Sequence, residues 1–182
     1  AKDANRLDKP TGEMKRELKI TMLMEAHERF DSLFFEHQKA LLRFEFDTAL
    51  RLLGDYRDAL LAHMGDEERL LMPIYRERVK PDKGGNPALF LDEHEKMRAY
   101  VALFIDTIAE LRLQASPEET LLNLLDRESF YKRLSSHHDI REREILYPEL
   151  DIVMTQKELA ETFSKLEFPV HSRETEASND SK

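Results

Sequence analysis

The stretch Ser136–Pro148, SHHDIREREILYP, carries a histidine and a glutamate four residues apart, His138 and Glu142. On an α-helix this spacing puts both side chains on one face, one turn apart, so one helix can give two ligands to one metal site. A second stretch, HMGDEERLLMP, repeats the histidine, the glutamate and the proline that follows at the same spacing: His63, Glu67 and Pro73. The duplication, more than either pair alone, predicts a metal site.

Each of the two remaining long helical patterns carries one further histidine on its apolar face, His27 in MEAHERFDSLF and His94 in LDEHEKMRAYV. The apolar residues around these two histidines align at equal offsets. The chain therefore resembles two copies of a helical hairpin, in which the first helix gives one histidine and the second gives His-xxx-Glu. An antiparallel bundle brings all four contributions to its centre.

Four imidazoles and two carboxylates suit two metal ions better than one. Two glutamates, Glu67 and Glu142, can bridge a metal pair while two histidines serve each ion. The chain has no cysteine, and nitrogen and oxygen donors without thiolate favour iron or manganese over a closed structural zinc site. The expected metal ligands are His27, His63, Glu67, His94, His138 and Glu142.

The apolar periodicity predicts four long helices and a short fifth one, with no strand pattern anywhere. We expect helix one from Glu13 to about residue 42, and helix two from there to the breaker KPDKGGNP at Lys80–Pro87. Helix three starts with Asn86 as its cap and runs to Gln114. Helix four starts at a capping box, Ser116–Glu119, and ends near Pro148. Thr155–Glu158 caps helix five, which runs to about Leu166.

These elements predict an all-α fold, an up-down-up-down four-helix bundle with a short C-terminal helix and flexible termini. The bundle domain is expected to span residues 13–168. Residues 1–12 read as a polar N-terminal arm and residues 169–182 as a disordered tail, because both are polar and lack apolar periodicity.

Composition limits the partners of the protein. The net charge of −9 over 182 residues argues against binding to nucleic acid or to an anionic membrane surface. No apolar run approaches the length of a membrane span. We expect a cytoplasmic protein, a monomer or a homodimer, whose protein partner the sequence does not identify. The open coordination positions of the expected two-metal site, rather than the composition, indicate a small diatomic molecule or a peroxide as its ligand.

In the order of its six ligand residues the chain resembles the hemerythrin-like (HHE cation-binding) domain family, over about residues 18–150. The resemblance implies a four-helix bundle with a non-haem di-iron centre, two Fe ions with an oxo or hydroxo bridge, in which histidines are terminal ligands and carboxylates bridge. Carried over, Glu67 and Glu142 are the bridges and His27, His63, His94 and His138 the terminal ligands. Manganese is the alternative metal.

The chain departs from the oxygen-carrying members of that family. Those carriers have His-xxx-His on the third helix, whereas Arg98 stands four residues after His94. The departure argues against reversible oxygen carriage. The resemblance instead favours binding or reduction of dioxygen, peroxide or nitric oxide, as in oxidative stress. An iron- or oxygen-responsive sensor acting through a partner is the alternative, a metal-free interaction bundle is a third reading, and the pattern is compatible with either an enzyme or a binding protein.

Several other polar residues lie near the expected site. Asp31 is a candidate extra ligand or a hydrogen-bond acceptor for His27, and Tyr131 is a core residue or a hydrogen-bond donor to the site. His137 is expected to be exposed or to support the ligands. His37 is expected at the surface or at a helix–helix boundary, and His171 in the tail. The glutamates beside ligands, Glu68 and Glu93, are expected to face solvent or arginines.

Overall fold

The computed structural model describes residues 17–168 of the chain. Within this range the backbone forms helices and loops and no strand, which confirms the all-α prediction. The expected arm at 1–12, the expected tail at 169–182 and His171 lie outside the described residues. Between residues 17 and 168, none of the helices is both long enough and apolar enough to cross a membrane.

The described α-helices are, in chain order, α1 (Glu25–Leu42), α2 (Phe46–Asp66), α3 (Met72–Arg78), α4 (Pro87–Leu111), α5 (Glu118–Arg141), α6 (Tyr147–Val153) and α7 (Gln156–Ser164). The four long ones, α1, α2, α4 and α5, form the up-down-up-down bundle. In it α1 packs against α2 and α5, and α4 packs against the same two helices. A turn of 3₁₀-helix, Ile20–Met24, leads into α1 and packs on α6.

Two predicted helix starts are confirmed by their caps. The side chain of Asn86 accepts a hydrogen bond of 2.9 Å from the backbone N–H of Ala88, with Pro87 as the first helical residue. Thr155 and Glu158 form the reciprocal capping box of α7. Both caps satisfy backbone N–H groups that the first turn of a helix leaves without partners.

Three predicted helix boundaries, two starts and one end, are wrong. In the described chain helix one begins at Ile20, since residues 17–19 are not helical. Ser116 does not cap α5, because Pro117 takes the cap position and no side chain there accepts a backbone hydrogen bond. Helix four does not end near Pro148 but continues to Val153.

The chain passes Pro148 through a wider helical turn. A π-helical segment, Glu142–Leu146, joins α5 to α6, and the backbone N–H of Tyr147 bonds to the carbonyl of Glu142 five residues earlier. Proline lacks an N–H and clashes with the carbonyl four residues before it, so a local i→i+5 turn lets the helix continue. A second π-helical segment, Glu67–Leu71, joins α2 to α3 ahead of Pro73 in the same way. Each π segment thus begins at an expected metal ligand.

The six expected ligands lie between two separate hydrophobic clusters. The larger cluster fills the bundle body, with side chains such as Phe34, Leu53 and Phe104. The smaller cluster fills the end of the bundle, where Ile20, Tyr75 and Leu150 pack among α3, α6 and the 3₁₀ turn. The polar layer between them is therefore screened from water on both sides, and its groups must find partners inside the protein.

Candidate metal centre

The structure brings all six expected ligand side chains into one buried layer. Each of them is at most 6% exposed, and the two glutamates are fully buried. Their donor atoms form two groups that share one carboxylate: His27, His63 and Glu142 on one side, and Glu67, His94, His138 and Glu142 on the other. Buried carboxylates and imidazoles at this density require either protons or cations between them.

Within each group two imidazoles face each other through Nε2. The Nε2 atoms of His27 and His63 are 3.1 Å apart, and those of His94 and His138 are also 3.1 Å apart. Two nitrogens bound at right angles to one ion, each at a bond length of about 2.1 Å, would be about 3.0 Å apart. The observed spacing therefore fits one ion for each pair of histidines.

Each glutamate turns one oxygen towards each pair of histidines. In Glu142, Oε2 lies 3.2 Å from Nε2 of His27, while Oε1 lies 2.6 Å from Nε2 of His138. In Glu67, Oε1 lies 3.7 Å from Nε2 of His63, while Oε2 lies 3.3 Å from Nε2 of His94. Both carboxylates therefore stand between the two groups.

The unsatisfied atoms of the layer fit a cation. Oε2 of Glu67 and Oε1 of Glu142 are buried and have no hydrogen-bond partner among the described residues, although imidazole nitrogens lie within ion-pair distance. Short distances without hydrogen-bond angles mean that the lone pairs point at common space rather than at each other. The donors are nitrogen and oxygen only, a set that suits iron or manganese. These residues therefore fit bound metal.

The outer nitrogen of His94 is held by a carboxylate and an arginine. Nδ1 of His94 lies 2.8 Å from Oε1 of Glu68, and Arg98 donates to the same oxygen at 2.7 Å. A carboxylate acceptor on Nδ1 fixes the ring and leaves Nε2 free to bind a metal. Glu68 thus faces an arginine, as expected, and also orients a ligand, which the sequence did not indicate.

His138 has the same kind of support. Its Nδ1 lies 3.0 Å from Oε2 of Glu93, and Arg141 donates to Oε1 of Glu93 at 2.9 Å. Arg141 also donates to the carbonyl of Gly84 in the loop before α4, at 3.3 Å. Glu93 is therefore buried beneath an arginine that ties the loop to the site.

The support of His27 is different. Oδ1 of Asp139 lies 3.1 Å from its Nδ1, but the contact falls outside hydrogen-bond geometry and no arginine joins it. Asp31, the residue considered for this role from the sequence, is exposed and belongs to neither group of ligand atoms. Asp139 was missed because it reaches His27 from another helix, a pairing that sequence spacing cannot reveal.

Tyr147 is a second residue that sequence reasoning missed. Its hydroxyl donates a short hydrogen bond to Oε1 of Glu67, and lies 3.4 Å from both Nε2 of His63 and Oε2 of Glu142. Met72 occupies the matching position of the first copy, nine residues after its histidine. This unmatched position in an otherwise regular repeat was the available signal.

The remaining candidates lie away from the ligands. Tyr131 is buried in the bundle body, where its hydroxyl bonds to that of Tyr56, which favours the packing role. His137 is exposed, as expected. His37 is fully buried at the helix–helix boundary, with Nε2 2.7 Å from Glu128 and Nδ1 2.9 Å from the carbonyl of Ala49, so the surface alternative for it is wrong.

Without bound metal, the buried carboxylates of the layer raise the pKa of some of its histidines, which then hold protons. Burial alone would lower the pKa of His27, but Asp139 and Glu142 outweigh it and raise that pKa to about 10. Burial likewise opposes protonation of His94, while Glu142 and Glu67 raise its pKa to about 9. For His63 burial prevails, and its pKa is lowered. A bound cation would replace these protons, since metal and proton compete for the same nitrogens.

One side of the layer is covered by the last described residues. Asp66, which precedes Glu67, accepts backbone hydrogen bonds of 2.9 Å from Glu167 and Phe168. The Phe168 ring packs against Phe30 at 5.3 Å between centroids and against His63 at 6.3 Å. This C-terminal clamp, residues 167–168 on Asp66, shields His63 from solvent.

The hemerythrin HHE cation-binding domain model matches residues 18–150, most of the chain. Neither the curated proteins nor the solved structures gave a significant match. The matched range contains the bundle, both π segments and all six residues of the buried layer. On this match the chain belongs to the hemerythrin HHE cation-binding domain family.

Proposed function

We propose that this domain holds two iron ions and uses them to bind or reduce a small oxidant. His27 and His63 would bind one ion and His94 and His138 the other, with Glu67 and Glu142 as bridges. The observation that carries the proposal is the placement of one oxygen of each glutamate beside each pair of histidines. Manganese is the alternative occupant of the same donor set.

Six protein donors on two ions would leave coordination positions open, and a bound iron pair would supply electrons and binding positions for dioxygen, peroxide or nitric oxide. The protein residues provide the surroundings. The rings of Phe30 and Phe168 keep bulk water away from His63. Tyr147 holds a proton beside Glu67, because burial and the nearby carboxylates of Glu142 and Glu67 raise its pKa well above the ordinary value of 10.0.

Arg98 supports reduction or sensing over reversible oxygen carriage. Arg98 stands four residues after His94, where the carriers have a further histidine, and its guanidinium is bound to Glu68. The centre therefore has fewer nitrogen ligands and more open positions than a carrier needs. Open coordination positions on the metal ions favour reduction of a bound molecule over its reversible binding and release.

The test begins with metal analysis. Protein expressed in iron-replete cells and desalted should contain about two irons per chain, with the near-ultraviolet absorption of a bridged iron pair when oxidised. Stopped-flow mixing of the reduced protein with dioxygen, peroxide and nitric oxide should then change this spectrum within the mixing experiment. A metal-free preparation, or one ion per chain under saturating iron, would overturn the proposal.

A sensor is the second candidate, and the C-terminal clamp favours it. The clamp rests on Asp66, the neighbour of Glu67, and on His63, so loss of metal would loosen both of its supports. Hydrogen exchange with and without iron distinguishes the candidates. A sensor should lose protection at residues 160–168 when iron is removed, whereas a catalyst should change little there.

A further inference from the structure

A cavity of about 260 Å³ opens between α1 and α5, beside the proposed metal centre. Its inner wall is aromatic, formed by Phe30, Phe34, Tyr56 and Tyr131. Its mouth carries the exposed residues Phe35 and Lys132. The cavity is larger than any diatomic molecule or peroxide requires, so such molecules would enter it together with water.

Two residues separate this cavity from the buried layer. The Phe30 ring lies 5.8 Å from the ring of His27 and 5.3 Å from that of His63, measured between centroids. Asp139 lines the cavity and also contacts Nδ1 of His27 at 3.1 Å. Phe30 and Asp139 therefore stand between the cavity and the His27–His63 side of the layer.

Within residues 17–168, several other sides of the layer are covered. On the opposite side the carboxylate–arginine pairs Glu68–Arg98 and Glu93–Arg141 cover the outer edges of His94 and His138. The C-terminal clamp covers His63. A second cavity of about 220 Å³, between α2 and α4, is lined by residues such as Leu60 and Val101 and by none of the six ligands.

The charges along the α1–α5 cavity differ from its inner end to its mouth. Asp139 stands at the inner end beside His27, and Asp31 stands on the α1 wall. Lys132, at the mouth, is the compensating cation among the lining residues and is bonded to Gln38 at 3.1 Å. An anion moving inward therefore meets the carboxylate of the exposed Asp31 and then that of the half-buried Asp139, whose repulsion is less screened by water.

We propose that the α1–α5 cavity is the access route to the metal centre and that Asp31 and Asp139 make it select neutral small molecules over anions. The proposal rests on the proposed function, since it assigns the route by which the reactant of that centre arrives. The proposal separates neutral from anionic small molecules. Hydrogen peroxide, dioxygen and nitric oxide would reach the metal centre through the cavity, whereas azide, nitrite and superoxide would be repelled. Asp31 and Asp139 are then the residues that determine this specificity.

The experiment compares rates of two probes in iron-loaded protein whose metal content has been measured first. Nitric oxide is the neutral probe and azide the anionic one, and both are followed by stopped-flow absorption. Ser135→Phe places a ring in the cavity and should slow both probes at least tenfold. Ser129→Phe, an equal change at an exposed position of the same helix that does not line the cavity, should leave both rates within twofold of wild type.

Charge is tested separately. Asp31→Asn should raise the ratio of the azide rate to the nitric oxide rate about fivefold to tenfold at low ionic strength, and salt should reduce the gain. Asp106→Asn, an exposed site on α4 with the same change in net charge, should leave the ratio unchanged.

The outcomes separate the two proposals. Protein without bound iron overturns the proposed function before the rates are measured. Iron-loaded Ser135→Phe with wild-type rates overturns the access route and leaves the metal centre intact. Slowed probes in Ser135→Phe, with an unchanged azide ratio in Asp31→Asn, overturn the selection of neutral molecules.

Discussion

The two copies of the helical hairpin supply matching ligands but opposite charges around them. Arg98 and Arg141, in the second copy, stand four and three residues after their histidines. The same offsets in the first copy are Asp31 and Asp66. The arginines clamp the carboxylates that hold His94 and His138. The aspartates instead line a cavity and anchor the C-terminal clamp. The two halves therefore share their expected metal ligands and differ in the charged residues that surround them.

The residues that contact the Nδ1 atoms of the histidines also differ between the two copies of the hairpin. Glu68, Glu93 and Asp139 each hold or contact a histidine Nδ1. The corresponding positions of the other copy are Arg143, Ala26 and Met64. We infer a braced half, around His94 and His138, and an accessible half, around His27 and His63. The predictions below test this division.

The largest effect is expected from Glu142, whose oxygens belong to both groups of ligand atoms. Glu142→Gln removes the shared anionic donor, so the protein should lose nearly all of its iron. Glu67 reaches the His27–His63 pair less closely, with its Oε1 3.7 Å from Nε2 of His63, so Glu67→Gln should retain about half of the metal, on the His27–His63 side. Metal analysis after desalting measures both variants. Equal loss in both would contradict a special role for Glu142.

The next effect is the dependence of metal affinity on pH. In the metal-free protein the pKa of His27 is about 10 and that of His94 about 9, so at neutral pH iron must displace their protons. The apparent affinity should therefore rise about tenfold per pH unit for each displaced proton, and level off above about pH 9–10. Calorimetry of iron binding in buffers of different ionisation enthalpy measures the proton release and so checks how many protons are displaced. Binding without proton release would disprove it.

Folding of the metal-free protein should show the opposite pH dependence. The pKa values of His27 and His94 are raised by folding above the ordinary 6.5. Their contribution to stability is therefore full below about pH 6.5 and is lost as the pH rises through 9 and 10. Urea unfolding of chelator-treated protein at several pH values measures it. A metal-free protein that gains stability between pH 7 and 10 would contradict the assigned ion pairs.

A smaller effect separates the braced from the accessible half. Glu93→Gln should weaken binding of one ion by about 10–100-fold, because it removes the acceptor that fixes the ring of His138. Asp139→Asn should weaken binding by less than about tenfold, because its contact with His27 lies outside hydrogen-bond geometry. Competition with a chelator measures both affinities, and Asp126→Asn, at an exposed position of α5, is the matched control. A larger loss in Asp139→Asn than in Glu93→Gln would reverse the division.

The smallest effect is expected at Tyr147, whose matching position in the first copy of the hairpin is Met72. Tyr147→Phe leaves Oε1 of the buried Glu67 without its hydroxyl donor and should lower the free energy of unfolding by about 1–2 kcal/mol. Met72→Leu, at the matching and equally buried position, should cost less than about 1.5 kcal/mol as a volume-conserving change. Urea denaturation of the metal-free variants compares them. If Tyr147→Phe were the milder change, the hydroxyl would have no structural importance.

The buried layer of histidines and glutamates could be predicted because its signal is local and duplicated. A His-xxx-Glu pair lies on one face of any helix, and its repetition with a following proline separates it from chance. The caps at Asn86 and Thr155 were also local, which is why they were recognised. The interval between residues 78 and 87 was equally clear from its glycine and prolines.

Tyr147 could not be predicted, because helical periodicity assumes α geometry. Five residues along an α-helix, Tyr147 would lie about 140° around the axis from Glu142. The π segment that begins at Glu142 widens the turn and brings Tyr147 back to the side of the ligand. Pro148 is the sequence signal for this turn, but a proline after a long helical pattern also predicts a helix end. The Nδ1 partners were missed for another reason, since each comes from a different helix.

The π segments have a consequence for how the protein opens. Each interrupts the regular i→i+4 ladder at a ligand glutamate, and beyond both interruptions lie α3, α6 and the smaller hydrophobic cluster. That end of the molecule can therefore unfold as a cooperative unit of its own, separate from the bundle body. Metal bound by Glu67 and Glu142 would join the two units into one. The proposed metal centre would then also set how many independent folding units the domain has.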